Sequence, residues 1–359
     1  MGQTQSNNKD VFLPLLPKSS AVSTDCRQLL QEVRICADDL RKCRNDPVSG
    51  YYQLHRVWKM YYDEKTRCYR REIGKVLSEC CVSAYVVSML KRLLLDGYHP
   101  GSICGLLTNP WLWATSRLVL DIAWNYSDAS DDFACDLAKD NILEVLYKNL
   151  ELYQNGSSAR SGYRHFIIRA TLSIITNISR RPVNKPEFLK FDFVHILLRF
   201  KSASDESIKV LALTALAFIK DPRDNYLLDD DFNAIPVIIR WLDSSLERDA
   251  YHRIKEGFTA AELAYVLNKL AVGQNVTKII EEGGLEILRK MLMSSDIQQQ
   301  INASQCLWSM AFNNEARKFI KANEELVEAV QELQQSKMNR QMLQNVNGLL
   351  WMLFDKDED

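Results

Sequence analysis

The sequence predicts an all-α fold built from units that repeat along the chain, and three observations predict it. No strand alternation persists anywhere in the 359 residues, whereas apolar residues at helical spacing begin near residue 24. A short apolar motif closing a long helix recurs at a nearly fixed interval. Between helices stand the same breaks, a small or polar corner followed by a Ser- or Asp-type cap.

The recurring motif reads Ile122-Ala123-Trp124-Asn125-Tyr126, Ile174-Ile175-Thr176-Asn177-Ile178 and Ala215-Leu216-Ala217-Phe218-Ile219. It returns as Val266-Leu267-Asn268-Lys269-Leu270, Cys306-Leu307-Trp308-Ser309-Met310 and Gly348-Leu349-Leu350-Trp351-Met352. Its second residues fall at 123, 175, 216, 267, 307 and 349, in steps of 52, 41, 51, 40 and 42. Helical repeats of the two- and three-helix kind have periods of about 40–47 residues. The two long steps then require inserts of about ten residues, which repeat arrays carry in loops on one face. The polar stretches 155–162 and 243–250 are where those inserts are expected.

The clearest unit runs from Gly283 to Leu333. Gly283-Gly284 starts a helix where backbones crowd, since glycine lacks a Cβ. Ser294-Ser295-Asp296 breaks that helix and caps the next, which runs through Asn302 to Ala311. A third short helix, Ala316 to Ala322, precedes the Leu326 to Leu333 helix, where the pattern begins again. One such unit cannot bury its apolar face alone and needs neighbours.

This pattern resembles the armadillo repeat over about residues 111–354, most strongly from Gly283 to Phe319. The resemblance implies an all-α, right-handed armadillo-like α-α superhelix (a solenoid) whose last helix in each repeat lines a concave, peptide-binding groove. Aligning the repeats on the apolar core places Lys148, Arg199, Arg240 and Lys290 at one equivalent position, with Gln331 next. On the resemblance these four are the groove-binding candidates. They would form a basic ladder that attracts acidic segments of other proteins. The Trp-x-x-x-Asn pairs with which importin-type armadillo proteins clamp basic peptides are missing, the nearest being Trp241 with Ser245 and Trp308 with Phe312.

Totals narrow the function classes. Hydrophobic residues make up 47% and charged ones 25%, enough for a continuous core, and the net charge of −1 gives no global pointer to nucleic acid. Nine scattered cysteines form no Cys-x-x-Cys and no zinc-like Cys/His spacing, which reads as small buried hydrophobes in a reducing compartment. No apolar run approaches the ~18 residues that cross a bilayer. A cytoplasmic location is therefore expected.

At the N-terminus, Met1-Gly2-Gln3-Thr4-Gln5-Ser6 fits the pattern that marks Gly2 for myristoylation. A single acyl chain anchors only marginally, so any membrane attachment is expected to be reversible. Residues 1–23 read as a disordered tail, 24–110 as a helical cap or degenerate repeats, 111–354 as the repeats and 355–359 as an acidic end. Within the cap, the aromatic-rich helix from Tyr51 to Tyr62 reads as core, and Thr66 to Leu95 as one longer helix.

Catalytic signals are absent. The histidines, His55, His99, His165, His195 and His252, are far apart, and there is no dinucleotide fingerprint, P-loop, nucleophile elbow or zinc-protease motif. No metal site and no cofactor are expected. Acidic clusters occur at Asp128 to Asp132 and Asp229 to Asp231, and Asp229 to Phe232 reads as a solvated loop rather than a calcium site. The ending, Gln344 to Phe354, is similar to the close of armadillo regions that precede a TIR domain in some molluscan proteins. The expected function is a non-enzymatic scaffold or adaptor in intracellular signalling. The alternative, implied by the second resemblance, is an array that senses a small molecule such as a nicotinamide nucleotide.

Overall fold

A computed structural model describes residues 25–43, 47–96, 110–153, 162–220, 232–246, 257–335 and 340–354. Among these residues all regular structure is helical. Gly2 and the acidic end at 355–359 lie outside them. The chain divides into two compact units, one ending at Asp192 and one beginning at Phe193.

The first unit contains α1 (Cys26–Lys42), α2 (Pro47–Tyr62), α3 (Arg70–Glu79), α4 (Val82–Leu90), α5 (Pro110–Ala129), α6 (Asp131–Lys139), α7 (Ile142–Glu151), α8 (Gly162–Ser179) and α9 (Lys185–Phe188). From α3 onward two helices of nine or ten residues, a short and a middle one by position, precede a long one, and the order repeats: α3-α4-α5, then α6-α7-α8. Like stacks on like. The long helices α2, α5 and α8 pack side by side in that order, α3 packs on α6, and α4 on α7. The triplet thus begins upstream of Trp111. The expected single helix from Thr66 to Leu95 is instead a 3₁₀ turn (Glu64–Tyr69), α3, α4 and a wide helical turn (Lys91–Asp96). Its break lies at Cys81, whose φ of 54° is left-handed.

The second unit contains α10 (Phe193–Leu198), α11 (Glu206–Ile219), α12 (Ile235–Leu246), α13 (Ala260–Leu270), α14 (Asn275–Glu281), α15 (Gly284–Leu292), α16 (Ile297–Met310), α17 (Asn314–Ala322), α18 (Glu324–Gln335) and α19 (Arg340–Phe354). Here the long helices α11, α13, α16 and α19 stack in sequence, as do the middle helices α12, α15 and α18 and the short helices α14 and α17. This order and stacking make the protein an all-α, armadillo-like helical repeat.

Local chemistry explains the corners. Four of the five middle helices, α4, α7, α12 and α15, are preceded by a left-handed residue, Cys81, Asn141 (φ 67°), Asn233 (φ 48°) and Gly283 (φ 82°) respectively. Asn and Gly are the residues that tolerate this region. Gly284 is needed for a second reason. A Cβ there would come within 2.6 Å of the Ile279 carbonyl oxygen, so the crowding inferred from the Gly-Gly pair is real. The long helices start on capping side chains: Asp205 accepts from the Ser207 and Ile208 N–H groups, Thr259 forms a capping box with Glu262, and Asp296 accepts from Gln298 N.

Two features lock the long helices together. The second residues of the recurring motif, Ala123, Ile175, Leu216, Leu267, Leu307 and Leu349, are all 0% exposed. In addition, three long helices each carry an asparagine that donates to the backbone of the preceding long helix. Asn177 reaches Trp124 O at 3.0 Å, Asn302 reaches Ala261 O at 2.9 Å and Asn345 reaches Ile301 O at 3.3 Å. A buried amide with its carbonyl partner in place costs little and fixes register, whereas an orphaned one is destabilising.

Candidate functional site

The four cations singled out from the sequence do not lie on the long helices. Lys148 is on α7, Arg240 on α12 and Lys290 on α15, all middle helices, and Arg199 opens the 3₁₀ turn after α10. Lys148 is ion-paired with Glu144 one turn back. Arg240 bonds both carboxylate oxygens of Glu206 on α11, at 2.7 and 2.8 Å, and Lys290 meets Asp243 on α12 at 3.0 Å. Arg199 has no carboxylate in ion-pair reach among the described residues. Three of the four expected ladder cations are thus engaged by carboxylates of this chain. Lysine and arginine share the helix surface with acids one turn or one repeat away, and the apolar register that aligned the repeats says nothing about those acids.

The acidic cluster from Asp128 to Asp132 also has partners, whereas Asp229 to Asp231 lie outside the described residues. Asp128 pairs with Arg180 at 3.2 Å, with side chains only 20% and 18% exposed, and Asp131 pairs with Arg181 at 2.8 Å. These bonds tie the end of α5 and the start of α6 to the end of α8.

What the first unit does present is a stripe along its long helices. On α2, Tyr51, His55, Trp58 and Tyr62 follow the i, i+4, i+7, i+11 spacing of one helix face, and on α5 Trp113, Arg117, Asp121 and Trp124 follow the equally one-sided i, i+4, i+8, i+11 spacing. The two stripes meet. Tyr51 packs edge-on to Trp111 (5.4 Å between centroids), Trp58 Nε1 donates to Asp121 Oδ2 at 3.1 Å, and Asn125 Nδ2 donates to Tyr62 Oη at 3.0 Å. Along α2 itself, Trp58 lies 5.5 Å from His55 and 4.8 Å from Tyr62. On the other flank, Trp113 packs edge-on to Tyr163 at 4.5 Å and to Phe166 at 5.8 Å, both on α8. Arg117 lies over Phe166 at 5.5 Å and Arg169 over Trp124 at 5.7 Å.

The helices that bear this stripe carry more cations than carboxylates. Helices α2, α5 and α8 carry Arg56, Lys59, Arg117, Arg164 and Arg169 against two carboxylates, Asp121 and Asp128. Both acids are engaged, Asp128 by Arg180 and Asp121 by Trp58. Asp121 is 6% exposed. Burial raises its pKa above the usual carboxylate range, opposed by the Trp58 hydrogen bond and by Arg117. Burial also lowers the pKa of His55, helped by Lys59, so its imidazole is held neutral.

The α2 aromatics, expected in the core, are only partly there: Tyr51 and Tyr61 are, Tyr52 is not. Tyr51, Leu54, Val57 and Tyr61 are buried, but Tyr62 is 49% exposed, and His55 and Trp58 are half-buried. The signal was present in the spacing, because 54-57-61 and 55-58-62 are two parallel stripes on adjacent faces of one helix.

The long helices of the second unit bear a second, smaller aromatic set. Lys269 stands over the rings of Tyr265 (5.5 Å) and Phe218 (5.9 Å), which pack at 5.2 Å from each other, and burial lowers its pKa. Trp308 is fitted against α19 at Gly348, where a Cβ would come within 2.5 Å of its ring. Phe312, Trp351 and Phe354 are 63%, 49% and 40% exposed.

Among the described residues no cluster of His, Cys, Asp and Glu is arranged to hold a metal ion. Among the same residues no single helix is long and apolar enough to cross a membrane.

No family model matches the sequence, and no curated protein matches it. Solved structures give distant likenesses. One is an engineered protein, 17% identical with a TM-score of 0.49, covering 92% of this chain and 86% of that one. A second is a designed armadillo repeat protein, 18% identical with a TM-score of 0.48, covering 74% of this chain and 99% of that one. A third, a designed armadillo repeat protein in complex with a Lys-Arg repeat peptide, is 18% identical with a TM-score of 0.45, covering 71% and 98%.

Proposed function

We propose that the protein is a non-enzymatic interaction scaffold, and that the long-helix face of its first unit, made by α2, α5 and α8, binds an extended acidic segment of a partner protein. One observation carries this reading. A continuous stripe of partly exposed aromatic rings runs across three stacked helices, and the cations on those helices outnumber the carboxylates, both of which are engaged. Rings supply contact area at low entropic cost, and unbalanced cations give the face an attraction for acids that salt weakens. Arginine over an aromatic ring is arranged for a carboxylate, because its N–H edges stay outward.

A role in intracellular signalling, and reversible membrane attachment through an acylated Gly2, belong to the same proposal. The second of these is supported by the N-terminal sequence pattern alone. The binding test uses a labelled extended peptide of alternating glutamate and leucine, titrated against the full chain by fluorescence anisotropy at rising salt. Binding that weakens with salt, and that a lysine–leucine peptide does not share, is expected. Failure of the glutamate peptide to bind, or preference for the lysine peptide, would overturn the reading.

A further inference from the structure

An acid that enters this face needs a cation that is exposed, held in place and not already occupied. Four of the five cations fall short of that. Arg56 donates to Gln53 at 3.3 Å. Lys59 and Arg169 have other partners, Arg169 lying over Trp124 as well. Arg164 is half-buried and makes none of the ring contacts of the stripe.

Arg117 differs on each count. It is exposed, it lies over the Phe166 ring at 5.5 Å, and it makes no ion pair or hydrogen bond among the described residues. Trp113, one turn earlier on α5, packs edge-on to Tyr163 and Phe166 and so forms an apolar wall beside the guanidinium. Among the described residues the acid that faces it is Asp121, one turn later, which is buried and accepts from Trp58 rather than pairing with Arg117. A stacked guanidinium loses little freedom on binding and offers two parallel N–H donors to a carboxylate.

We infer that Arg117 is the specificity-determining anchor of this face, taking the carboxylate of an acidic side chain in a two-pronged hydrogen bond while the neighbouring apolar residue of the partner packs on Trp113, Tyr163 and Phe166. Asp121 sets the strength of that bond. Its charge lies within Coulomb reach of Arg117 and opposes any incoming acid. The inference rests on the binding function proposed above and adds the residue and the chemistry.

The experiment compares the glutamate–leucine peptide with its glutamine–leucine analogue on the full chain and on Arg117→Gln, Arg117→Lys and Asp121→Asn. Losing one charge-assisted, two-pronged contact costs on the order of ten- to a hundredfold in affinity. Arg117→Gln should lose that much for the glutamate peptide and nothing for the glutamine peptide, with an unchanged melting temperature because the side chain is exposed. Arg117→Lys should retain part of the binding. Asp121→Asn should bind the glutamate peptide more tightly. Full affinity in Arg117→Gln, or weakened binding in Asp121→Asn, would overturn the inference while leaving the scaffold reading in place. A wild-type protein that binds neither peptide would bring down both.

Discussion

Leu307→Ala tests the repeat packing at its centre. Leu307 is 0% exposed on α16, which is packed between α13 and α19. The substitution removes three carbons from this site, a transfer loss of roughly 2.5 kcal/mol at about 0.8 kcal/mol per carbon. Incomplete collapse of the cavity brings the expected cost to about 2–5 kcal/mol. For a cooperative unit of this size each kcal/mol lowers the melting temperature by about 2–4 °C, so a fall of about 4–20 °C follows. Repeat arrays draw stability from nearest neighbours, so the loss should appear in the transition of the second unit rather than be spread over the whole melt. Scanning calorimetry of the full chain reads both the shift and the transition that carries it. The control is Phe312→Ala five residues on, where the ring is 63% exposed and the expected change is within about 0.5 kcal/mol. An unchanged midpoint for Leu307→Ala, or equal shifts for the two variants, would refute the stacking of the long helices.

Further predictions follow from the same structure. Gly284→Ala should destabilise by about 1–3 kcal/mol, because its Cβ meets a backbone oxygen that cannot rotate away; thermal denaturation checks it. The Asp121 carboxyl has its folded pKa raised by burial, so its ionised form opposes folding above that pKa and the penalty fades as pH falls through it. Asp121→Asn should therefore raise the melting temperature at neutral pH, with the gain shrinking towards acid pH; a gain that is constant with pH would contradict the assignment. Burial pushes the thiols of Cys36 and Cys306 up to about 11 and about 12, while Cys68 and Cys81 are exposed. A thiol-specific reagent at mild alkaline pH should label Cys68 and Cys81 in the native protein, and Cys36 and Cys306 only after unfolding, as peptide mass mapping will show.

Much of the fold was legible because repetition amplifies weak signals. The motif whose second residues are Leu216, Leu267, Leu307 and Leu349 marks a position that is fully buried each time, and Asp296 and Gly283-Gly284 do the capping and corner work their chemistry suggests. Helix boundaries were harder where no glycine or proline marks them. Cys81 holds a left-handed corner that gives no compositional cue, so α3 and α4 read as one helix.

The site was less legible, and for a physical reason. Arg240 and Glu206 are 34 residues apart, and Lys290 and Asp243 are 47 apart, so an alignment of cations cannot show that each has an acid from a neighbouring helix. The face that does stand open depends on which of two adjacent stripes of α2 turns inward. Tyr61 and Tyr62 differ in fate although they are adjacent and identical in type.

The most direct test of the scaffold reading is photo-crosslinking of the glutamate–leucine peptide to the full chain. A photoreactive phenylalanine analogue is placed at Tyr62 on the long-helix face and, separately, at Glu144 on the middle helix α7. Tyr62 is 49% exposed and the side chain of Glu144 41%, so both positions are open to solvent. The reading predicts saturable crosslinks at position 62, suppressed by unlabelled peptide and by salt, and none above background at position 144. Equal crosslinking at the two positions, or none at position 62 under conditions where the peptide binds, would contradict it.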